Sequence, residues 1–169
     1  FLKNWGDSNN ISISNTPTFL YKEERVSSTR IRDSLLENNF LLASELLGRP
    51  YTFSGKVVGG QKLGRTIGVP TANLWIPKQK LPISGVYAVQ CLLDEESYMG
   101  IANMGVRPTV NGTKPVLEIH LFDFDKDIYS KRLKVEFKHK IRNEKKFKDL
   151  NLLKSQIQKD ISIAKGLLK

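Results

Sequence analysis

The chain has 169 residues, 40% hydrophobic and 26% charged, a length that suits one full-sized domain plus a fragment and excludes two large domains. It has no secretory signal, no long apolar run and a single cysteine, Cys91; these features point to the reducing cytoplasm and exclude an intrachain disulfide. The net charge of +10 is concentrated in Lys131 to Lys148, which holds nine Lys/Arg against two Glu. Such a balance raises a nucleic-acid partner first, but no recognition-helix or zinc-ligand pattern accompanies it, so it is read as a solvated basic face. No nucleic acid and no membrane are expected as partners. An opening Phe1 in place of Met points to a chain trimmed from something longer.

The first 25 residues have weak periodicity, and Pro17 interrupts their only apolar stretch, which predicts loop or edge strand. A helix is expected from Ser27-Ser28-Thr29, where a hydroxyl can accept from first-turn N–H groups, with Ile31, Leu35 and Leu36 at helical spacing. A second short helix, about Leu41 to Leu47, ends at Gly48 with Pro50 just beyond.

From Tyr51 the period becomes two. Strands are predicted at 51–58, 69–75, 84–93, 97–103, 115–124 and 132–141. In the last of these Leu133, Val135 and Phe137 alternate with charged residues. In 116–122, Leu117, Ile119 and Leu121 face one way, and Glu118, His120 and Phe122 the other. No helices of 10–15 residues separate the strands, so the sheet is expected to be antiparallel and closed. The fold class is therefore mainly β: a Greek-key-like six-stranded barrel, preceded by a short helical segment and followed by a C-terminal helix. That helix, 149–168, carries Leu150, Leu153, Ile157, Ile161, Ala164 and Leu168 in one stripe, which needs the barrel wall to bury it.

The segment richest in chemistry is Gly59-Gly60-Gln61-Lys62-Leu63-Gly64-Arg65-Thr66, continuing to Pro70-Thr71-Ala72-Asn73. Its first eight residues nearly spell a P-loop, with Arg65 in the lysine position. A P-loop must open a helix, and Gly68 and Pro70 follow too soon for that, so the P-loop reading is rejected. A Gly-rich turn still lets backbone N–H groups approach phosphate oxygens, with Lys62 or Arg65 to neutralise charge.

The Pro70-Thr71-Ala72-Asn73 run, at its distance from Gly64-Arg65, resembles the signature of riboflavin kinases. Further blocks match in order: Gly85-Val86-Tyr87-Ala88, Asn103 to Thr109, Leu117 to Phe124, Asp127-Ile128-Tyr129 and Ile141 to Phe147. The resemblance covers about Leu46 to the C-terminus. Upstream, Val26-Ser27-Ser28-Thr29-Arg30-Ile31-Arg32 resembles the motif that ends the adenylyltransferase domain of bifunctional riboflavin kinase/FAD synthetases. Residues 1–45 are thus expected to be a remnant of that domain with linker helices, and 46–169 the kinase domain, with the native chain continuing upstream. The only histidines, His120 and His139, lie downstream, so the adenylyltransferase's H-x-G-H-type motif is not in this chain, and FAD synthesis is not expected from it.

The resemblance implies an ATP-dependent kinase, with Mg²⁺, that turns riboflavin into FMN and ATP into ADP. It implies Thr71 and Asn73 as the Mg²⁺- and nucleotide-contacting pair, and hard oxygen donors suit that ion. It also implies Gly59, Gly64 and Arg65 as the phosphate cradle, Glu118 as general base, and Arg142, Glu144 and Phe147 on the flavin side. The strand alternation supports Glu118 independently, since it places the carboxylate opposite the apolar face. His120 shares that face and is read as a structural neighbour. Two other readings compete. A basic β-barrel that holds single-stranded nucleic acid would display aromatics for stacking, and here none cluster with the basic run. An inactive flavin carrier would not need Thr71, Asn73 and Glu118 together.

Overall fold

The computed structural model describes residues 1–14, 17–60, 63–76, 81–109 and 112–169. Gln61 and Lys62 of the Gly-rich segment lie outside the described residues.

Six strands close into an antiparallel barrel: β3 (Thr52–Val58), β4 (Ala72–Leu74), β5 (Gly85–Leu93), β6 (Glu96–Thr109), β7 (Gly112–Leu121) and β8 (Arg132–Arg142), in the spatial order β3-β4-β7-β6-β5-β8. Strands β5, β6 and β7 are neighbours in sequence and in space, and β8 returns beside β5. That is the Greek-key arrangement expected from the period-two segments. Closure gives every strand two neighbours over part of its length. Inward-facing Val57, Leu74, Tyr87, Val89, Cys91, Ala102, Leu117, Ile119, Leu133, Val135 and Phe137 fill the interior, each nearly or fully buried.

Several strand limits differ from expectation for identifiable reasons. The 69–75 segment yields only the three residues of β4, because Val69 N donates back to Gly64 O and the Pro70 carbonyl faces a side chain, not a ladder. Conversely, β6 and β7 pair as far as Thr109↔Gly112, through Pro108 and Pro115. Beyond Met104 and Leu117 each of these strands has a single neighbour, and proline is tolerated in such edge-like stretches.

Upstream, α2 (Ser28–Leu36) starts where Ser27 Oγ accepts from Arg30 N, and α3 (Phe40–Leu47) ends at Gly48, in the left-handed conformation at φ 67°. Their apolar residues Leu35, Phe40 and Ala43 belong to the barrel's own core cluster. Phe40 stacks on Phe137 at 6.2 Å and meets Tyr87 edge-on at 5.7 Å. The expectation of loop or edge strand for the first 25 residues holds only in part. A two-stranded hairpin, β1 (Leu20–Tyr21) and β2 (Glu24–Arg25), is present, but Leu2–Ser8 forms helix α1. That helix buries only Gly6 and so leaves no periodic apolar signal; Ser8 Oγ and Asn9 Nδ2 satisfy its free carbonyls from within. Likewise the Gly-rich segment does open one helical turn, α4 (Leu63–Thr66), which Gly68 at φ 78° stops at once.

The C-terminal helix α5 (Leu150–Leu167) is capped by Asp149, whose Oδ1 accepts from Asn151 N and Leu152 N. As its stripe requires, it lies on the outer wall, packing on β5, β6 and β8. Ala164 is fully buried with Ala88, Ile101 and Phe122, and Ile157, Ile161 and Leu168 pack around them. Leu150, at the start of the stripe, is half exposed. The helix therefore covers part of the barrel face that in other antiparallel sheets meets water.

Candidate active site

Strand register assembles the site. Asn73 on β4 stands opposite Glu118 on β7, Glu118 opposite Asn103 on β6, Asn103 opposite Val86 on β5, and Val86 opposite Arg142 on β8. Directly opposed residues share a face and lie about 5 Å apart, so this is one continuous row around five strands. The row faces outward, because Leu117 and Ile119 on either side of Glu118 point into the core. Above it, α5 contributes Leu153, Ile157 and Asp160, and the segment after β8 contributes Glu144, Lys145 and Phe147. Between floor and roof lies a cleft of about 190 Å³.

Gly64, Thr71, Asn73, Glu118, Arg142, Glu144 and Phe147 all line this cleft. Arg65 lies instead in an adjoining cleft of about 250 Å³, with Lys126, Asp127 and Tyr129. Thr71 belongs to both. Gly59 lines neither.

Two glycines of the Gly-rich segment, Gly60 and Gly64, are pressed against residues 69–73, whereas Gly59 has open space beside it. A Cβ on Gly60 would overlap the Asn73 amide, and one on Gly64 would strike the Val69 carbonyl and lie 3.3 Å from the Thr71 hydroxyl. From the other side His120 Nδ1 donates to the Pro70 carbonyl at 2.8 Å, so the residue just before Thr71 is tied to β7. His120 also lines the α5-side cleft.

Asn73 is 7% exposed, yet its side chain makes no hydrogen bond among the described residues, and neither does the Thr71 hydroxyl. Among the described residues no buried side-chain N or O lacks a partner, so the Asn73 amide is open because it faces the cleft, where a ligand can reach it. Among the described residues no group of three or more His, Cys, Asp or Glu could hold a metal. Thr71 Oγ1, in the wall of both clefts, and Asn73 Oδ1, in the wall of the α5-side cleft, are hard oxygen donors, a sparse set of the kind that suits Mg²⁺ completed by phosphate oxygens and water.

On the opposite wall the Arg142 guanidinium is already engaged. Its Nε donates to both Asp160 oxygens, at 3.0 and 2.9 Å, its Nη2 to Asp160 Oδ2 at 2.8 Å, and its Nη1 to the Asn143 carbonyl at 3.0 Å. Its Cζ lies 5.8 Å from the centre of the Phe147 ring, and Lys145 Nζ lies 5.9 Å from it. Thiol chemistry has no part here: burial pushes the Cys91 thiol up to about 12, and Cys91 lies in the barrel core.

Sequence reasoning missed Asn103 and Asp160. Asn103 falls within a matching block but is visible as a site residue only through its register with Glu118. Asp160 left a signal, a lone carboxylate three residues after Ile157 and four before Ala164, on the apolar face of α5.

Residues 47–168 match the family model described as Flavokinase: Riboflavin kinase. The chain is 51% identical over 150 residues to a bifunctional riboflavin kinase/FMN adenylyltransferase of Haemophilus influenzae, covering 88% of this chain and 49% of that protein. It therefore spans about half the length of the curated relatives it matches. A solved structure described as a macrolide-efflux protein from Streptococcus pneumoniae superposes with a TM-score of 0.78 at 34% identity, covering 97% of this chain and 53% of that one. A riboflavin kinase from Trypanosoma brucei superposes with a TM-score of 0.52 at 25% identity, covering 70% of this chain and 77% of the other. No described helix is long and apolar enough to cross a membrane.

Proposed function

The chain belongs to the riboflavin kinase family, and from that premise we propose that it transfers the γ-phosphate of ATP to the ribityl 5′-hydroxyl of riboflavin, yielding FMN and ADP. The observation that carries this reading is the meeting of two clefts at Thr71, with Glu118 in the wall of one of them. The α5-side cleft has the apolar lining a flavin ring needs, from Ile67, Leu153, Ile157 and Phe147, with Arg142 and Glu144 for its polar atoms. The adjoining cleft, with Arg65, takes the nucleotide. Gly64 and Gly59 bring backbone close to the phosphates, although Gly59 would do so from outside both clefts.

Thr71 and Asn73 hold Mg²⁺ in this scheme. That ion, when bound, neutralises phosphate charge and orients the γ-phosphoryl group. Glu118 receives the proton of the 5′-hydroxyl as its oxygen bonds to the γ-phosphorus and the bond to ADP breaks. Asn103, next to Glu118 in the row, is placed to orient the same hydroxyl. Most of the acceleration in such transfers comes from positioning and charge neutralisation, which is what a rigid strand row supplies.

Residues 1–45 are the end of an adenylyltransferase domain in this proposal, and 46–169 the kinase. The Ser27–Arg32 motif serves here as a helix start, with Arg30 bonded to the carbonyls of Tyr21 and Glu24 and paired with the Glu24 carboxylate at 2.8 Å. FAD synthesis is assigned to residues outside this chain, and the compartment to the cytoplasm, where a buried free thiol stays reduced. Incubation with riboflavin, ATP and Mg²⁺, followed by chromatography of flavins and nucleotides, tests the proposal. FMN and ADP in equal amounts, without FAD, are expected; ADP without FMN would remove riboflavin as the acceptor.

A further inference from the structure

Asp160 is charged, 1% exposed, and sits on the apolar face of α5 between Ile157 and Ala164. A buried ion pair gives little net stability compared with an apolar side chain of similar size, so stability alone does not account for a carboxylate there. Its surroundings suggest another use. Both its oxygens accept from one edge of Arg142, and Oδ1 also accepts from Gln156 Nε2 at 2.9 Å. Arg142 ends the row that carries Glu118, and both Arg142 and Asp160 line the α5-side cleft.

A guanidinium has five N–H groups. Asp160 takes those of Nε and one of Nη2, and the Asn143 carbonyl takes one of Nη1. Two remain, one on each terminal nitrogen, and Phe147 lies beside the group. Edge, tip and surroundings of the guanidinium are thereby all set before any ligand arrives. Preorganisation of this kind raises affinity because little rotamer freedom is lost on binding.

We propose that Asp160 is a positioning residue: it fixes the Arg142 guanidinium so that its two remaining N–H groups meet acceptor oxygens of the flavin. This rests on the reading of the α5-side cleft as the flavin cleft. It adds that flavin recognition depends on helix α5 through a residue that acts by way of Arg142.

The test is riboflavin affinity in the whole chain, read by quenching of flavin fluorescence, with urea unfolding of each variant alongside. Asp160→Asn should weaken riboflavin binding about tenfold to hundredfold, the range for loss of a hydrogen bond between charged groups. ATP·Mg²⁺ affinity should stay within about twofold. In an Arg142→Ala background, Asp160→Asn should have less than about a twofold further effect, since the only route of its action is gone. Arg142→Lys, which keeps the charge and loses the fork, should match Asp160→Asn. Equal weakening by Asp160→Asn in both backgrounds would make its role merely structural and overturn the inference. Should Asp160→Asn fail to fold, Arg142→Lys decides, and near-normal riboflavin affinity in that variant overturns it. A wild-type chain that does not bind riboflavin removes the flavin reading itself, whereas wild-type binding with an unchanged Asp160→Asn affinity removes this inference alone.

Discussion

Thr71, just before β4, and Asn73, within it, stand two residues apart on a segment held from both sides, by Gly60 and Gly64 and by the His120 bond to Pro70. Removing the Thr71 hydroxyl should therefore leave the backbone in place and take away one oxygen donor. In Thr71→Ala the Mg²⁺ needed for half-maximal rate should rise about fivefold or more, equivalent to roughly 1 kcal/mol of lost interaction. An unchanged Mg²⁺ dependence in folded protein would return Thr71 to a purely structural role. At this scale the sequence is legible where chemistry and pattern coincide. Glu118 stands out because it interrupts an apolar alternation whose other face is plainly core, and structure keeps Leu117 and Ile119 inside. Asn103 does not stand out, since an Asn in a strand carries no mark of its cross-strand neighbour. Arg142 was legible as a site residue, but not the fact that Asp160 already holds three of its donor contacts.

The helices α2 and α3 are read from sequence as a linker, yet they complete the barrel. Phe40 enters the same aromatic group as Tyr51, Tyr87 and Phe137, and Leu35 and Ala43 join the core beside it. Phe40→Ala should cost about 3–5 kcal/mol, the usual penalty for emptying a packed aromatic site. Urea unfolding followed by far-UV circular dichroism reads this, and the loss should appear in one cooperative transition. A loss below about 1 kcal/mol would mean that the helix pair is not part of the barrel's cooperative core. Element types were legible because period two and period 3.6 are both strong in this chain. Their limits were not, where a proline pair lies in an unusually long hairpin or where a short helix such as α1 buries almost nothing. The row through Asn73, Glu118, Asn103, Val86 and Arg142 was illegible for a deeper reason. Register depends on closure of the whole barrel, and residues 69 positions apart in sequence have no local signal that joins them.

Across the whole molecule the charge of +10 is the feature most open to misreading. Several members of the basic run have partners, among them Lys131, which pairs with Asp94. Arg132 and Lys134 stand on the outer face of β8, Lys138 pairs with Glu136, Arg142 is taken by Asp160, and Lys145 lies against Phe147. Binding to single-stranded DNA or RNA should therefore be weak and vanish with salt, as counterions compete. Submicromolar binding at about 150 mM salt would contradict this. The Greek-key barrel itself was legible, because six short period-two segments without intervening long helices admit few closed arrangements. The placement of two clefts on either side of Thr71 was not, since one arises from how α5 and the segment after β8 fold back over the wall and the other from how Phe124 to Tyr129, after β7, lie beside Arg65. That placement makes the central claim a single one: phosphoryl transfer to riboflavin occurs in the α5-side cleft with Glu118 as its base. The direct test is one turnover of γ-³²P-labelled ATP with saturating riboflavin and Mg²⁺, in wild type and in Glu118→Gln, beside the riboflavin dissociation constant of each. Wild type should carry label into FMN, and Glu118→Gln should do so about 10²–10⁴-fold more slowly with riboflavin affinity nearly unchanged. Label transfer by Glu118→Gln at the wild-type rate would contradict the account.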